Sequence, residues 1–149
     1  MGPKKIDALL ADYGAAHRAR GNVVCHAFGI SLIVFGVLSM THAIRVAGPW
    51  TASEVVVALA GVVYLVLDPA LGAAMIAVAA AIDLLARAVG DARIGAAAFA
   101  VGWILQGIGH GVFEKNSPAF FRNLVHLLIG PAYLVNKVLR IRRVPAPAA

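Results

Sequence analysis

Residues 23–44 carry no Asp, Glu, Lys or Arg. As an α-helix this run extends about 33 Å at ~1.5 Å per residue, enough to cross the hydrocarbon core of a bilayer. A second uncharged run covers residues 94–113. A third, shorter one covers residues 123–136 and is widened by Phe120, Phe121, Val138 and Leu139. The chain has 149 residues, 61% of them hydrophobic and 13% charged, with a mean hydropathy of +0.86. An average soluble domain is about a quarter charged, and a small one buries only a modest share of its surface. This much apolar surface needs lipid as its solvent. The expected fold is an all-α integral membrane protein, because helices satisfy their own backbone inside a span.

The stretch from Val55 to Val89 is apolar but interrupted by Asp68-Pro69, Asp83 and Arg87. One helix of that length would measure about 52 Å, too long for a bilayer core. Pro69 lacks a backbone donor and disfavours helix at Asp68, so the stretch reads as two helices, 52–67 and 70–87. With segments 23–46, 94–114 and 119–139 they make four to five transmembrane or membrane-embedded helices in a single domain, 1–149. Segment 4–19 precedes them as an amphipathic interfacial helix, with Ile6, Leu9, Leu10 and Tyr13 recurring at helical spacing. Gly21-Asn22 punctuates, with Asn22 as the N-cap of the first span. Residues 140–149 form a basic tail rich in Pro and Ala.

The net charge is +6. The basic residues flank the apolar runs, at Lys4, Lys5, Arg18 and Arg20 and again at Arg140, Arg142 and Arg143. That distribution belongs to a lipid bilayer as partner and not to nucleic acid. It also places both termini in the cytoplasm, which requires an even number of crossings. Four are expected, with one helix short, re-entrant or at the interface. The first uncharged run is too long for a cleavable signal. Cys25 is the sole cysteine, so no internal disulfide forms. The Gly107-xxx-Gly111 spacing allows close helix approach, and with it a homodimer.

Polar groups inside spans are functional candidates by default. Several here sit four apart on one helix face: Tyr13 with His17, Asn22 with His26, and the triple Gln106, His110, Glu114. Asn123 lies three residues before His126. His17 and His26 are nine residues apart and would face opposite ways on one continuous helix, but a break near Gly21-Asn22 lets both rings face one point. Whether His110 joins them depends on helices 52–67 and 70–87 both crossing, which would leave the C-terminus outside. Convergence of the histidines is taken to outweigh the statistical charge rule. Neutral imidazoles with one carboxylate suit Fe(II), Zn or Cu. His17, His26, His110 and His126 are the candidate metal ligands. Glu114 is either a further ligand or an acceptor that orients a ligating histidine. Arg18 and Arg20 are placed to attract a carboxylate, and Asn123 is grouped with them as substrate-binding. Beyond a metal enzyme, the residues leave open a membrane binding or transport protein, a haem protein using His26 and His110, and a zinc protein. His42 reads as interfacial, Trp50 and Trp103 as belt residues, Asp83 with Arg87 as an ion pair, and Asp68 with Tyr64 as a helix-end acid or a polar partner for the site.

Two motifs make the chain resemble the 2-hydroxy fatty acid dioxygenase family. One is Trp103-Ile-Leu-Gln106-Gly-Ile-Gly109-His110-Gly-Val-Phe113-Glu114-Lys-Asn-Ser-Pro118-Ala119; the other is Tyr13-xxx-His17-xxxx-Asn22-xxx-His26-xx-Gly29. The match runs from about residue 6 to 140. It implies a small polytopic membrane enzyme that uses Fe(II) and O2 to remove one carbon from a 2-hydroxy fatty acid, a step of fatty acid α-oxidation. The site residues it carries over are His17, His26 and His110, with Glu114, Asn22 and Gln106 around them. Tyr13, the first residue of the second motif, is counted with these as catalytic. Ser31 stands where the family usually has Pro, and Asn136 where it often has Glu. The family's fungal member sits in the endoplasmic reticulum. This Ala-, Gly- and Arg-rich chain reads as bacterial, hence of the cytoplasmic membrane.

Overall fold

A computed structural model of the chain describes residues 5–115 and 125–143. They form six α-helices and a two-stranded ribbon: α1 (Lys5–Ala15), α2 (Arg20–His42), β1 (Arg45–Ala47), β2 (Trp50–Thr51), α3 (Ala52–Leu67), α4 (Pro69–Val89), α5 (Ala92–Ile108) and α6 (Val125–Leu139). A π-helical turn, Gly109–Glu114, continues α5 without a break. Three helices are long and apolar enough to cross a membrane: α2, α4, and α5 with its π turn. α3 and α6 are shorter apolar helices. Their outward faces carry large apolar side chains, among them Phe28, Leu59, Val66 and Ile104. Such continuous apolar surface is stable only against lipid or a partner.

Each boundary has a local cause. α1 stops at Ala15 and α2 starts at Arg20, so the chain turns at 16–19, ahead of Gly21-Asn22. The N-cap of α2 is Ala19, and Asn22 lies inside the first turn. A carboxylate from another helix, Glu114, accepts the Ala19 N–H at 2.7 Å, so no capping side chain is needed at Asn22. The ribbon β1–β2 is antiparallel, with Gly48 at φ +52° in its turn. The sequence reading contained no strand, because two and three residues carry no alternation to detect. Thr51 and Glu54 form a capping box that starts α3. Asp68 ends α3 in extended backbone and then accepts the Leu71 N–H at 2.9 Å, capping α4. Pro69 fits there as the first residue of α4. Gly90 closes α4 at φ +65°, and Asp91 caps α5.

α2 and α5 run antiparallel along a glycine seam. A Cβ added at Gly29 would lie 2.9 Å from the Gly102 carbonyl oxygen, and one added at Gly36 would lie 2.6 Å from that of Gly95. α3 and α4 form an antiparallel hairpin, closed at its open end by Arg87, which pairs with Asp83 at 2.8 Å and with Glu54. His42 Nδ1 bonds Thr51 Oγ1 at 3.2 Å at the same end. This is the ribbon end of the molecule. The opposite end holds the start of α2, the α3–α4 junction and the end of α5.

α1 and α6 lie antiparallel across that opposite end. Arg142 grips Asp7 with two hydrogen bonds of 2.6 and 2.9 Å and also lies 3.4 Å from Asp68. Tyr64 donates to the Leu128 carbonyl at 2.6 Å. Ile6, Leu10, Tyr13, Tyr64, Leu71 and Ile129 make the buried core under this pair of helices. Asp68 is therefore a buried acid that caps α4 and lies beside Arg142. Buried Asn136 bonds the backbone of Arg142 in both directions, at 2.7 and 3.1 Å.

Candidate metal centre

Three of the five histidines converge. His17, in the turn between α1 and α2, His26, on the second turn of α2, and His110, in the π turn, are all buried. Each presents a ring nitrogen within 4.8 Å of the other two. Their ring centroids stand 4.4 to 5.0 Å apart, in edge-to-face pairs. The turn at 16–19 reverses the chain enough for His17 and His26 to meet.

The hydrogen bonds fix the tautomers of two of these rings. His17 Nδ1 donates to the Tyr13 carbonyl at 2.6 Å, and His26 Nδ1 donates to the Asn22 carbonyl at 3.0 Å. A carbonyl only accepts, so each neutral ring keeps its lone pair on Nε2. Those two Nε2 atoms face each other at 3.1 Å. Two lone pairs so placed repel unless a cation lies between them. Nitrogens bound to one ion at about 2.1 Å each are roughly 3 Å apart when they subtend a right angle. The donor set and its spacing fit a divalent metal, with the backbone carbonyls orienting the ligands. Burial holds the His17 imidazole down at about 4, against the opposing pull of its bond to Tyr13, so it stays neutral over most of the pH range. Tyr13 stacks on His17 at 4.0 Å and locks the ring plane.

The surrounding residues divide into supports and lining. Glu114 is not among the converging ligand atoms. Its Oε1 accepts from Ala19 N–H and from Asn22 Nδ2 at 3.2 Å, tying the π turn to the start of α2. Asn22 Oδ1 is buried without a partner among the described residues. It occupies the space a side chain at position 109 would need, since a Cβ there would fall 2.4 Å away. Glycine at 109 is thus what lets His110 approach His26. His126, expected as a fourth ligand, lies outside the converging group. Its Nε2 bonds Asp12 at 2.9 Å, because the pairing of α1 with α6 brings that carboxylate to it first. Arg18 and Arg20 are exposed at the start of α2. Asn123 lies outside the described residues.

A cavity of about 260 Å³ opens from the histidines into the bundle. Gln106 and His126 line its upper part. Below them its wall is apolar, with Ile33, Val37, Phe99 and Trp103 among its lining. The sequence reading missed both this cavity and Asp12. The cavity had a signal, since positions 26, 30, 33, 34 and 37 of α2 and 99, 103, 106 and 110 of α5 each follow one helical face. Asp12 had none, because its partner is 114 residues away. Gly107 and Gly111, singled out for helix approach, meet nothing within 4 Å among the described residues, whereas Gly29, Gly36, Gly95 and Gly102 sit at close contacts between α2 and α5.

Comparisons with known proteins identify the family. A family model described as 2-hydroxy-palmitic acid dioxygenase Mpo1-like matches residues 4–142. The 2-hydroxy-palmitic acid dioxygenase MPO1 of Saccharomyces cerevisiae is 30% identical over 143 residues, covering 91% of this chain and 80% of the yeast protein. No solved structure matches the chain.

Proposed function

The chain belongs to the Mpo1-like family of 2-hydroxy-palmitic acid dioxygenases, and from that membership we propose an Fe(II)-dependent membrane enzyme that shortens 2-hydroxy fatty acids by one carbon. The observation that carries the metal reading is the pair of His17 and His26 lone pairs facing each other at 3.1 Å beside His110; the choice of iron rests on the family. Three neutral imidazoles leave coordination positions open for substrate and O2. The overall change balances: a 2-hydroxy acid and O2 give the acid one carbon shorter, CO2 and water. Four electrons leave the substrate and four reduce O2, so no second organic reductant is required.

Iron bound by these residues supplies the electron transfer between substrate and O2 that neither undergoes readily alone. The chain's own residues do the rest. His17 and His26 are held by their Nδ1–H bonds so that only Nε2 faces the centre. Glu114 and Asn22 lock the π turn against α2 and fix the third histidine. Arg18 and Arg20, exposed near the start of α2, would attract the substrate carboxylate from the membrane surface. The apolar cavity takes the acyl tail and keeps water from the reacting carbons.

We read α2 to α5 as four crossings, with α1 and α6 lying on the face that holds the histidines. The membrane around them would be the cytoplasmic membrane of a bacterium. The test is metal analysis of protein purified in detergent without chelator. Iron near one per chain, lost in His110→Ala, with O2 uptake and CO2 release on 2-hydroxypalmitate, is the expected result. Zinc at that level, with no O2 uptake after iron reconstitution, would overturn the reading.

A further inference from the structure

Resting on that function, we infer that the cavity measures the acyl chain, with Val37 and Phe99 as its floor. The cavity runs from the three histidines along matching faces of two antiparallel helices. Val37 lies eleven residues past His26 on α2, and Phe99 lies eleven residues before His110 on α5. Both walls therefore reach the same depth, about 16 Å at ~1.5 Å per residue. The lining ends at the same level on both helices: no lining residue lies farther from the histidines than Val37 on α2 and Phe99 on α5. Beside them the helices pack closely, since a Cβ added at Gly36 would lie 2.7 Å from the Phe99 Cβ.

An extended alkyl chain, with bonds of about 1.5 Å in a tetrahedral zigzag, advances roughly 1.3 Å per bond. The cavity then holds about thirteen bonds beyond the carbon that bears the hydroxyl, and an acid of roughly fifteen or sixteen carbons fills it. Trp103 lines the wall seven residues before His110, about 10 Å down. That is roughly eight bonds, near carbon 10. Each methylene that finds wall contact strengthens binding about fourfold. Beyond the floor a further methylene gains nothing and has to displace the Phe99 ring.

Two measurements test this. The first is binding without turnover, in chelator-treated protein carrying Trp50→Phe, so that Trp103 is the single tryptophan. Fatty acids brominated at different carbons are titrated in, and quenching of Trp103 is read. The strongest quenching is expected with bromine near carbon 10, and weaker quenching with bromine near carbon 4 or at the methyl end. Quenching that does not depend on bromine position overturns the assignment. The second is internal competition among 2-hydroxy acids of 12 to 20 carbons in one iron-loaded reaction, in which partition into detergent cancels between variants. Phe99→Ala should shift the preferred chain longer by roughly two or three carbons, the length its ring occupied. Val37→Phe should shift it shorter. Unchanged preference in both active variants overturns the floor. A positional quenching profile in a protein that never turns over 2-hydroxy acids would uphold the cavity and overturn the oxygenase reading instead.

Discussion

Two neutral imidazoles brought together lone pair to lone pair are an unfavourable arrangement for a protein to build without a ligand. His17 and His26 are held in it by their own helix backbones, four residues upstream in each case. His17→Ala, His26→Ala and His110→Ala should each lose the metal, because two remaining ligands bind weakly. His126→Ala should keep it, since Asp12 already engages that ring. Metal content after desalting separates the four variants, and metal loss in His126→Ala would restore that residue as a ligand. pH gives a second check. His17 titrates at about 4 in the folded protein against 6.5 as an ordinary imidazole. As pH falls below the higher value the unfolded chain takes up a proton that the fold refuses, so stability is complete above it and declines down to the lower one. For metal-free protein that decline is on the order of 3 kcal/mol from this one ring. His17→Gln should flatten it, and thermal unfolding scanned from pH 7 to 4 reads the difference; equal slopes would mean the ring is not buried neutral. At this scale the sequence was partly legible. Helical spacing could nominate His17, His26 and His110, but nothing local could separate them from His126, whose fate was set by a carboxylate on another helix.

Helices are legible where their cause is local. The break at Asp68-Pro69 follows from proline's missing donor and is found between Leu67 and Pro69. The start of α2 was misplaced at Gly21-Asn22 because its cap, Glu114, comes from the far end of α5. The packing of α2 on α5 was not read from the sequence, for an instructive reason. The familiar small-xxx-small spacing drew notice to Gly107 and Gly111, whereas the contact uses glycines seven apart on each helix, Gly29 and Gly36 against Gly102 and Gly95. Two heptad-spaced glycines per helix let antiparallel backbones touch twice. Gly36→Ala and Gly102→Ala would press a methyl to 2.6 and 2.7 Å from backbone oxygens. Each should cost about 1–3 kcal/mol through forced separation of the helices. Gly107→Ala, with nothing within 4 Å of its added Cβ among the described residues, should be neutral or stabilising by up to about 1 kcal/mol through helix propensity. Thermal unfolding in one detergent compares the three. Equal losses at 36 and 107 would mean that the seam is not the contact that holds α2 to α5.

At the scale of the whole molecule, the sequence posed a conflict. Convergence of the histidines needed both middle helices to cross, and the charge rule needed an even count. On the proposed reading of four crossings, α6 removes the conflict. Its first turn lies beside the histidines, where His126 meets Asp12, and the residues after its last turn lie at the α3–α4 junction, where Arg142 meets Asp7 and Asp68. Since α2 to α5 alternate in direction, the histidines and that junction belong to the same end. A helix whose two ends touch one end of the bundle lies across it instead of adding a crossing. The charges agree. Lys5, Arg18, Arg20, Lys115, Lys137, Arg140, Arg142 and Arg143 gather at the histidine end. The ribbon end has Arg45, Arg93 and Arg87, the last neutralised by Asp83 and Glu54. The positive-inside rule predicts that the histidine end faces the cytoplasm, in which case substrate would reach the proposed metal site from the inner leaflet. Single cysteines placed at Lys5, Gly48 and Arg143 in a Cys25→Ala background test this in sealed cells with a membrane-impermeant maleimide. Position 48 should label from outside, and positions 5 and 143 only after the cells are opened. Labelling of 143 from outside would make α6 a fifth crossing and detach the Arg142 clamp from the face on which the histidines sit.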